Sequence, residues 1–433
     1  MNDLLIKNGL VYLNDKWVKT NIAIKDEKIS YIGEELLDAK EVIDAEGKRV
    51  LPGLMDGHVH FELGVGKNKS VDDFYYGSIC AAYGGVTTII DFLDPTSNAK
   101  ELEKSFYERK KAAEKSIVDY HFHACIKDPD GDLEEYVKTV VKLGMRTIKL
   151  FTTYSDTGRR TYDKDIIKLL ELSKKYGVLV CAHIENDDMI IIRDDFTFRD
   201  LPRSRPSMAE TSEALKLASY VKEHGGYFYM VHCSSGETLK ALKEQFGDIL
   251  GKNFFVESCP QYFIFNNEVL NEENGKLFTF APPLRSERER QLLVNDFDYV
   301  NTIGTDHCAY FKAQKDHPTL KGFPLGVGGI EHSFSLMYRR FGDRTINKMS
   351  KDLARIEKIP LKGEIKVGNY ADLAIFSVKD DYFVHENHGK CDYSIYDGVI
   401  AAGEFSDVIR RGKFILKNRK IIESKGQLLD CED

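Results

Sequence analysis

Eight short apolar stretches, separated by helical patterns, constrain the fold of this chain more than any other feature of its sequence. The stretches that predict buried strands cover residues 53–61, 86–92, 118–126, 145–152, 177–184, 227–233, 253–258 and 299–305. Helical patterns lie between them near residues 72–83, 101–115, 132–143, 163–176, 209–224, 236–247 and 285–296. Alternation of strand and helix up to eight strands predicts an α/β fold, the parallel (β/α)₈ or TIM barrel. An open doubly wound sheet is the alternative, although no Gly-x-Gly-x-x-Gly follows a strand.

The two ends of the chain differ from this middle region. Both contain short stretches of alternating polarity, separated by turn signals such as Asn14-Asp15. The 433 residues also exceed the roughly 250 that a barrel needs. We therefore expect residues 1–52 and 360–433 to form one small β-sandwich module, and residues 53–359 to form the barrel.

Charge and cysteine usage narrow the class of protein and its compartment. The formal net charge is -8, which opposes nucleic acid as a partner, because binding to its backbone needs a basic face. No apolar run approaches the ~20 residues of a membrane-spanning helix, and the one at the N-terminus is too short for a signal peptide. The eight cysteines are scattered, with no Cys-x-x-Cys. We expect buried thiols in a reducing compartment, the cytoplasm, and no membrane partner.

Candidate reactive residues follow five of the eight predicted strands, at the end of a barrel where catalytic groups belong. These residues are His58, His60, Lys149, His183, His232 and Asp306. His58 and His60 are two apart on a strand, so both point to one face and can share a metal ion. Lys149 does not fit such a site as an ammonium, because an ammonium has no lone pair and repels cations. A second His-x-His, His121 and His123, lies inside the third predicted strand, and we interpret it as structural.

The motifs and their order resemble the amidohydrolase superfamily, and within it the hydantoinase/dihydropyrimidinase group. The matching stretches are PGLMDGHVH at 52–60, GGVTT at 84–88, KLF at 149–151, AHIEN at 182–186, VHCSS at 231–235, ESCPQY at 257–262, PPLR at 282–285, GTDHC at 304–308 and GNYADL at 368–373. They span most of the chain. The resemblance implies a metal-dependent hydrolase that opens a cyclic amide ring to an N-carbamoyl amino acid, with the barrel as its catalytic domain.

The resemblance also assigns a role to each candidate residue. It implies two divalent ions, expected to be zinc: one held by His58, His60 and Asp306, the other by His183 and His232. Lys149 would bridge them as a carbamate formed with carbon dioxide. A metal-bound hydroxide would attack the ring carbonyl, with Asp306 as the proton carrier and Tyr154 as the donor to the developing oxyanion.

The residues expected at the substrate depart from the group's usual pattern. Ala281 stands where hydantoinases usually have serine, and Leu325 where they usually have asparagine. In the relatives, backbone groups at these positions hold the ring amide, so binding of a cyclic amide survives the change. The pocket edge is more apolar, and we expect dihydrouracil to be a poorer substrate than a substituted hydantoin. Arg159 and Arg160 are either a solvated turn or a cationic clamp on the substrate.

Three alternatives in function remain beside this hypothesis. Allantoinase stays open because its metal site would look the same. Dihydroorotase is disfavoured because that group usually carries an arginine where this chain has Glu62, whose charge would repel a substrate carboxylate. A non-catalytic scaffold like the dihydropyrimidinase-related proteins should have lost metal ligands, and here all six positions are filled. The resemblance further implies a homo-oligomer, by analogy a tetramer.

Overall fold

The N-terminal region forms the first strands of a terminal sheet. The computed structural model describes residues 1–431. The strands are β1 (Asn2–Leu13), β2 (Lys16–Lys25), β3 (Lys28–Gly33), β4 (Ala39–Asp44) and β5 (Arg49–Pro52). Asn14 and Asp15 form the turn between β1 and β2 with φ of 47° and 63°, a left-handed geometry that Asn and Asp tolerate. β1 pairs with β4 through residues 2–7 and with β5 through residues 10–11, so the sheet divides there into two arms.

The middle of the chain forms the barrel. Its first strand, β6 (Leu54–Val59), is followed by a small hairpin of β7 (Gly64–Val65) and β8 (Asn68–Lys69). The other barrel strands are β9 (Val86–Phe92), β10 (Asp119–Cys125), β11 (Thr147–Phe151), β12 (Leu179–His183), β13 (Phe228–Met230), β14 (Phe254–Ser258) and β15 (Thr302–Ile303). The eight strands form one parallel sheet in chain order. A bridge between Val59 and His307 brings its two edges together. The predicted (β/α)₈ barrel is confirmed.

Helices cover the outside of the barrel. They are α1 (Phe74–Tyr83), α2 (Ala99–Ala113), α3 (Leu133–Lys142), α4 (Asp163–Tyr176), α5 (Leu201–Ser204), α6 (Ser207–His224), α7 (Gly236–Phe246), α8 (Pro260–Ile264), α9 (Glu287–Asn295), α10 (Ser333–Phe341), α11 (Arg344–Lys348) and α12 (Lys351–Ile356). α3 shows why the prediction works: Asp132 caps it, and Tyr136, Val137 and Val140 bury one face. All seven predicted helices are present. α5, α8 and α10–α12 were not predicted.

The C-terminal region returns to the terminal sheet. Its strands are β16 (Leu373–Phe383), β17 (Ile400–Arg410), β18 (Lys413–Lys417) and β19 (Lys420–Ile421). β16 pairs antiparallel with β5, so strands from both termini form one nine-stranded sheet, which confirms the module predicted from the two ends. A separate apolar core joins Ile6, Ile22 and Val50 from the N-terminal strands to Ile375 and Ile409 from the C-terminal ones.

The last described residues lie at the N-terminal end of the barrel, away from the predicted site. The Tyr120 amide donates to Gln427 O (2.9 Å), and the Leu429 amide donates to Tyr120 O (2.9 Å). Residues 427–429 thus run alongside the start of β10 and help to cover this end of the barrel. Within residues 1–431, no helix combines the length and apolarity that crossing a membrane requires.

Candidate metal centre and active site

Three of the predicted ligands converge where the first and last barrel strands end. One ligand atom each of His58, His60 and Asp306 lie within 4.8 Å of one another. Asp306 Oδ1 is 3.1 Å from His60 Nε2 and 3.3 Å from His58 Nε2. The parallel register brings both strand ends to the same rim, so residues almost 250 positions apart in sequence meet there.

The other two histidines lie beside this group. The rings of His183 and His232 are 4.6 Å apart between centroids, and the rings of His58 and His232 are 5.3 Å apart. The structure therefore brings all four predicted histidine ligands into one cluster. The metal-binding roles assigned to them stay predictions.

The backbone at this rim has an unusual conformation. Tyr154, His232 and Asp306 have φ of 68°, 42° and 51°, in the left-handed region that residues other than glycine seldom adopt. Such conformations persist only where the surrounding structure holds them, and they concentrate at functional sites. Here they occur at three candidate residues, each just after the end of a barrel strand.

Two buried carboxylates that the sequence analysis did not select orient the histidines. Glu257, at the end of β14, lies 2.7 Å from His58 Nδ1 and accepts from the His232 amide at 3.1 Å. Glu185 lies 2.6 Å from His183 Nε2 and forms an ion pair with Arg205. A carboxylate on one ring nitrogen fixes the tautomer and leaves the other nitrogen for a metal ion.

The charges of the cluster act strongly on one another. Burial alone lowers the pKa of His58, but the facing carboxylates of Glu257 and Asp306 outweigh it and raise that pKa to about 9. Burial dominates at His60 and lowers its pKa to about 4. Burial raises the pKa of Asp306, yet His58 and His60 hold it well below its ordinary value. Asp306 is therefore an anion, as a ligand and proton acceptor must be.

Lys149 lies in this cluster without an anionic partner. Its side chain is 2% exposed, and within residues 1–431 its amine has neither a hydrogen bond nor an ion pair. The nearest rings are Phe92, 4.8 Å from Nζ, and Phe151, 5.4 Å from it. The charge of Lys149 contributes to lowering the pKa of His60, His183 and His232, in each case after burial. A buried ammonium among imidazoles, without a carboxylate, is unfavourable.

Tyr154 lies beside the second pair of histidines. Its ring is 5.2 Å from that of His183, and the Arg205 guanidinium is 4.8 Å from its centroid. Burial raises the pKa of Tyr154, although Arg205 opposes the shift. The phenol therefore keeps its proton near neutral pH and can donate a hydrogen bond.

The loops that carry Ala281 and Leu325 are tied together. Lys315 Nζ is buried and donates to Thr279 O (2.8 Å) and to Pro324 O (2.8 Å). The Gly326 amide also donates to Thr279 O (3.0 Å). Both loops therefore form one structural unit. Contact of Ala281 and Leu325 with a substrate remains a prediction.

The residues present fit a divalent cation. Imidazole nitrogen and carboxylate oxygen are the ligands that zinc prefers. His60 Nδ1 and His232 Nδ1 are buried and lack hydrogen-bond partners among the described residues. Buried polar atoms without partners are rare in proteins. A divalent cation would supply the partner that these nitrogens lack.

Comparison with known proteins places the chain in a family. The model of the amidohydrolase family matches residues 49–415. The chain belongs to the amidohydrolase family. It is 32% identical to a D-hydantoinase from Geobacillus stearothermophilus, over 98% of this chain and 94% of that one. It is 30% identical to a D-phenylhydantoinase from Escherichia coli O81 (strain ED1a), over 95% and 94%.

Solved structures agree along the whole length of this amidohydrolase. The crystal structure of dihydropyrimidinase from Brevibacillus agri NCHU1002 matches with a TM-score of 0.93 and 26% identity, covering 100% of this chain and 99% of that chain. The agreement includes the terminal sheet as well as the barrel. The resemblance inferred from the sequence motifs is thus confirmed.

Two buried carboxylates and one aromatic ring of the site can be recognised from the sequence. Glu185 and Glu257 both fall inside the motifs that support the resemblance, and a buried carboxylate beside a strand-end histidine is a common partner. Phe92 ends β9 and stacks on His60 at 4.7 Å between centroids. Arg205 follows no strand, and only the tertiary structure places it on Glu185.

Proposed function

We propose that this amidohydrolase opens a cyclic amide ring of the hydantoin or dihydropyrimidine type and releases an N-carbamoyl amino acid. The convergence of His58, His60 and Asp306 at the barrel rim, beside His183 and His232, carries the proposal. Its relatives named D-hydantoinase and D-phenylhydantoinase align over nearly the whole chain, which supports the same reaction type.

Two divalent ions, proposed to be zinc, would be held by these residues. His58, His60 and Asp306 would hold one ion, and His183 and His232 the other. The bound ions would supply an activated water and polarise the scissile carbonyl. Glu257 keeps the His58 ring oriented, and Glu185 does so for His183.

Lys149 is proposed to bridge the two ions as a carbamate formed with carbon dioxide. Carboxylation replaces a buried, unpartnered ammonium by an anion with two oxygen donors. This removes the electrostatic conflict between Lys149 and the neighbouring imidazoles. The absence of a carboxylate partner for Lys149 within the described residues supports this assignment.

The remaining steps belong to side chains at the rim. Asp306 would accept the proton of the attacking water at a carboxylate oxygen and deliver it to the departing ring nitrogen. The Tyr154 hydroxyl would donate a hydrogen bond to the carbonyl oxygen as negative charge develops there. Backbone groups beside Ala281 and Leu325 would hold the ring amide, while their side chains make the pocket edge apolar.

The wider setting of the enzyme is proposed from the same observations. Residues 53–359 would be the catalytic domain, and residues 1–52 with 360–433 a supporting module. Eight free cysteines in the described chain support a reducing compartment, proposed to be the cytoplasm. Exposed apolar side chains in the segment after β12 and at the start of α6 support a homo-oligomer, proposed to be a tetramer: Met189, Ile191, Ile192 and Met208.

Metal analysis combined with a substrate panel tests the proposal. The panel contains substituted hydantoins, dihydrouracil, dihydroorotate, allantoin and cyclic imides. We expect about two divalent ions per chain, inhibition by chelators, and a substituted hydantoin as a better substrate than dihydrouracil. Full turnover by metal-free protein in chelator would refute the mechanism. Allantoin as the preferred substrate would replace the assigned ring and leave the metal site intact.

A further inference from the structure

The loop after β11 presents two adjacent arginines to different surroundings. Arg160 Nη1 lies 3.4 Å from Asp187 Oδ2, and its guanidinium lies 5.1 Å from the Tyr162 ring. Asp187 also accepts from Thr153 Oγ1 at 3.0 Å and from the Ser155 hydroxyl. Arg160 is therefore part of the network that fastens this loop.

Arg159 has no such partner. It is partly buried, yet within residues 1–431 its guanidinium forms no hydrogen bond, ion pair or ring contact. An arginine that is partly withdrawn from water without an acceptor is unfavourable, and a carboxylate would relieve this. The two neighbours in sequence thus differ in one respect: Arg160 is neutralised by the protein, and Arg159 is not.

The backbone fixes Arg159 close to Tyr154. The Arg159 amide donates to Tyr154 O at 3.1 Å, and Gly158, with φ of 66°, reverses the chain between them. Since Tyr154 contacts His183, the side chain of Arg159 starts from the edge of the proposed reaction centre. An arginine side chain is long enough to reach a group attached to a ring bound there.

The charge of Arg159 acts on the pKa of three groups around the same rim. Burial raises the pKa of Tyr154 and of Tyr310 and raises that of Cys125 to about 12, and in each case the Arg159 charge opposes the shift. Cys125 is the last residue of β10, Tyr154 follows β11, and Tyr310 follows β15. All three groups lie at the C-terminal end of the barrel, and the hydrogen bond from the Arg159 amide to Tyr154 O places Arg159 at that end as well.

One acidic residue competes for this position. Asp94 also acts on Cys125, with the opposite sign, but it forms no ion pair with Arg159. Asp94 is exposed, so water screens its charge. The protein therefore leaves Arg159 available to an anion that arrives with the substrate.

We infer that Arg159 binds a carboxylate carried by the ring substituent, so that the preferred substrate is a cyclic amide with an acidic side chain. This inference rests on the proposed ring-opening function and adds the substrate class to it. The planar guanidinium matches the two oxygens of a carboxylate. Arg160, already paired, takes no part.

Two substituted hydantoins of equal shape test this inference. One carries a carboxyethyl group at the ring carbon, and the other carries the carboxamidoethyl group, which differs only in charge. We expect kcat/KM for the acid to exceed that for the amide by at least about tenfold, with a preference that weakens as salt rises. Arg159→Gln should abolish the preference for the acid over the amide. Arg159→Glu should disfavour the acid and favour a third hydantoin that carries an aminoalkyl group. Arg339→Gln, an equal loss of charge on the exposed last turn of α10, should leave the ratio unchanged.

Calorimetric titration of the intact protein with both compounds separates the two levels of the proposal. Turnover of both hydantoins at equal rates, with a ratio that Arg159→Gln does not change, would overturn the role of Arg159 and leave ring opening standing. Loss of turnover of every cyclic amide would refute the proposed function. If the protein turned over no cyclic amide but still bound the acid more tightly than the amide, and Arg159→Gln removed that difference, the carboxylate site would stand without the proposed function. Equal binding of the acid and the amide would refute the carboxylate site as well.

Discussion

Two His-x-His pairs lie inside the same barrel, His58 and His60 at the end of β6, and His121 and His123 within β10. His60 directly follows β6, and the other three histidines lie within strands. In each pair the two-residue spacing points both rings to one face. At the rim, His60 Nδ1 has no hydrogen-bond partner in the described chain, and Asp306 faces both rings. The environment of the inner pair is different.

The inner rings use both nitrogens. His121 Nδ1 lies 2.7 Å from Leu429 O, and its Nε2 lies 3.1 Å from Cys431 Sγ. His123 Nδ1 lies 2.5 Å from Thr147 Oγ1, and its Nε2 lies 2.8 Å from Gly57 O. A histidine with both nitrogens engaged has none left for a metal ion. The comparison shows that ligand capacity depends on the acceptors around a ring more than on spacing in the sequence.

The largest effect is expected from removing a rim histidine. His58→Ala should lower kcat/KM by at least about 10⁴-fold, since it deletes a proposed ligand from the reaction centre. Metal content, measured by atomic absorption on the folded variant, should fall with activity. A variant that kept two ions and wild-type turnover would show that the rim pair, like the inner pair, is not needed to bind metal.

A smaller loss is expected when the rim carboxylate keeps its shape but loses its charge. Asp306→Asn should lower kcat by about 10³-fold while substrate binding changes little, because an amide cannot take the proton. Single-turnover kinetics at saturating substrate measure this step. Turnover near the wild-type rate would mean that another group is the base.

Removing an inner histidine should affect stability rather than chemistry. His121→Ala deletes a ring that is 1% exposed and leaves Leu429 O without its partner. We expect the free energy of unfolding to fall by about 2–4 kcal/mol. Chemical denaturation measures the loss, and metal content should stay that of the wild type. Loss of metal from this variant would contradict the structural role.

The smallest effect is expected at Glu357, beside the inner pair. Its carboxylate lies 3.9 Å from His123 Nδ1, and neither oxygen has a hydrogen-bond partner within the described residues. Burial raises the pKa of Glu357 from 4.5 to about 8. The folded protein therefore holds a proton that the unfolded chain releases, and stability is lost as pH rises from 4.5 towards 8.

Glu357→Gln removes this dependence. Relative to the variant, the wild type should lose about 2 kcal/mol of unfolding free energy between pH 5 and pH 6.5. Denaturation curves of both proteins across that range give the difference. A constant difference across the range would show that Glu357 is ionised in the folded protein throughout.

Much of the barrel could be predicted because its strands and outer helices have regular burial. The strand predicted at 299–305 is only Thr302–Ile303, since the chain bends into the rim at Asp306. α10 was missed because it has only nine residues, and Ser333 to Tyr338 are all buried, so its exposed positions are confined to the last turn. α12 has six residues, too few for a period to appear.

The candidate site also contains residues that could be predicted from the sequence and residues that could not. Strand ends could be located from the sequence, so His58, His60, His183 and Asp306 could be selected as residues of one rim. Glu185 and Arg205 pair within the site, but an ion pair between a strand end and a later helix has no local pattern. Carboxylation of Lys149 is a reaction with a small molecule, and side-chain identity alone does not record it.

The sequence by itself determined the barrel, the end of it that carries reactive groups, and the spacing that lets two histidines face one metal. Those features depend on periodicity along the chain, which residue order contains directly. Only the tertiary structure decided which His-x-His keeps a nitrogen free, and which of Arg159 and Arg160 lacks a partner. Both depend on hydrogen-bond saturation, which distant segments supply: Leu429 for His121, and Asp187 for Arg160.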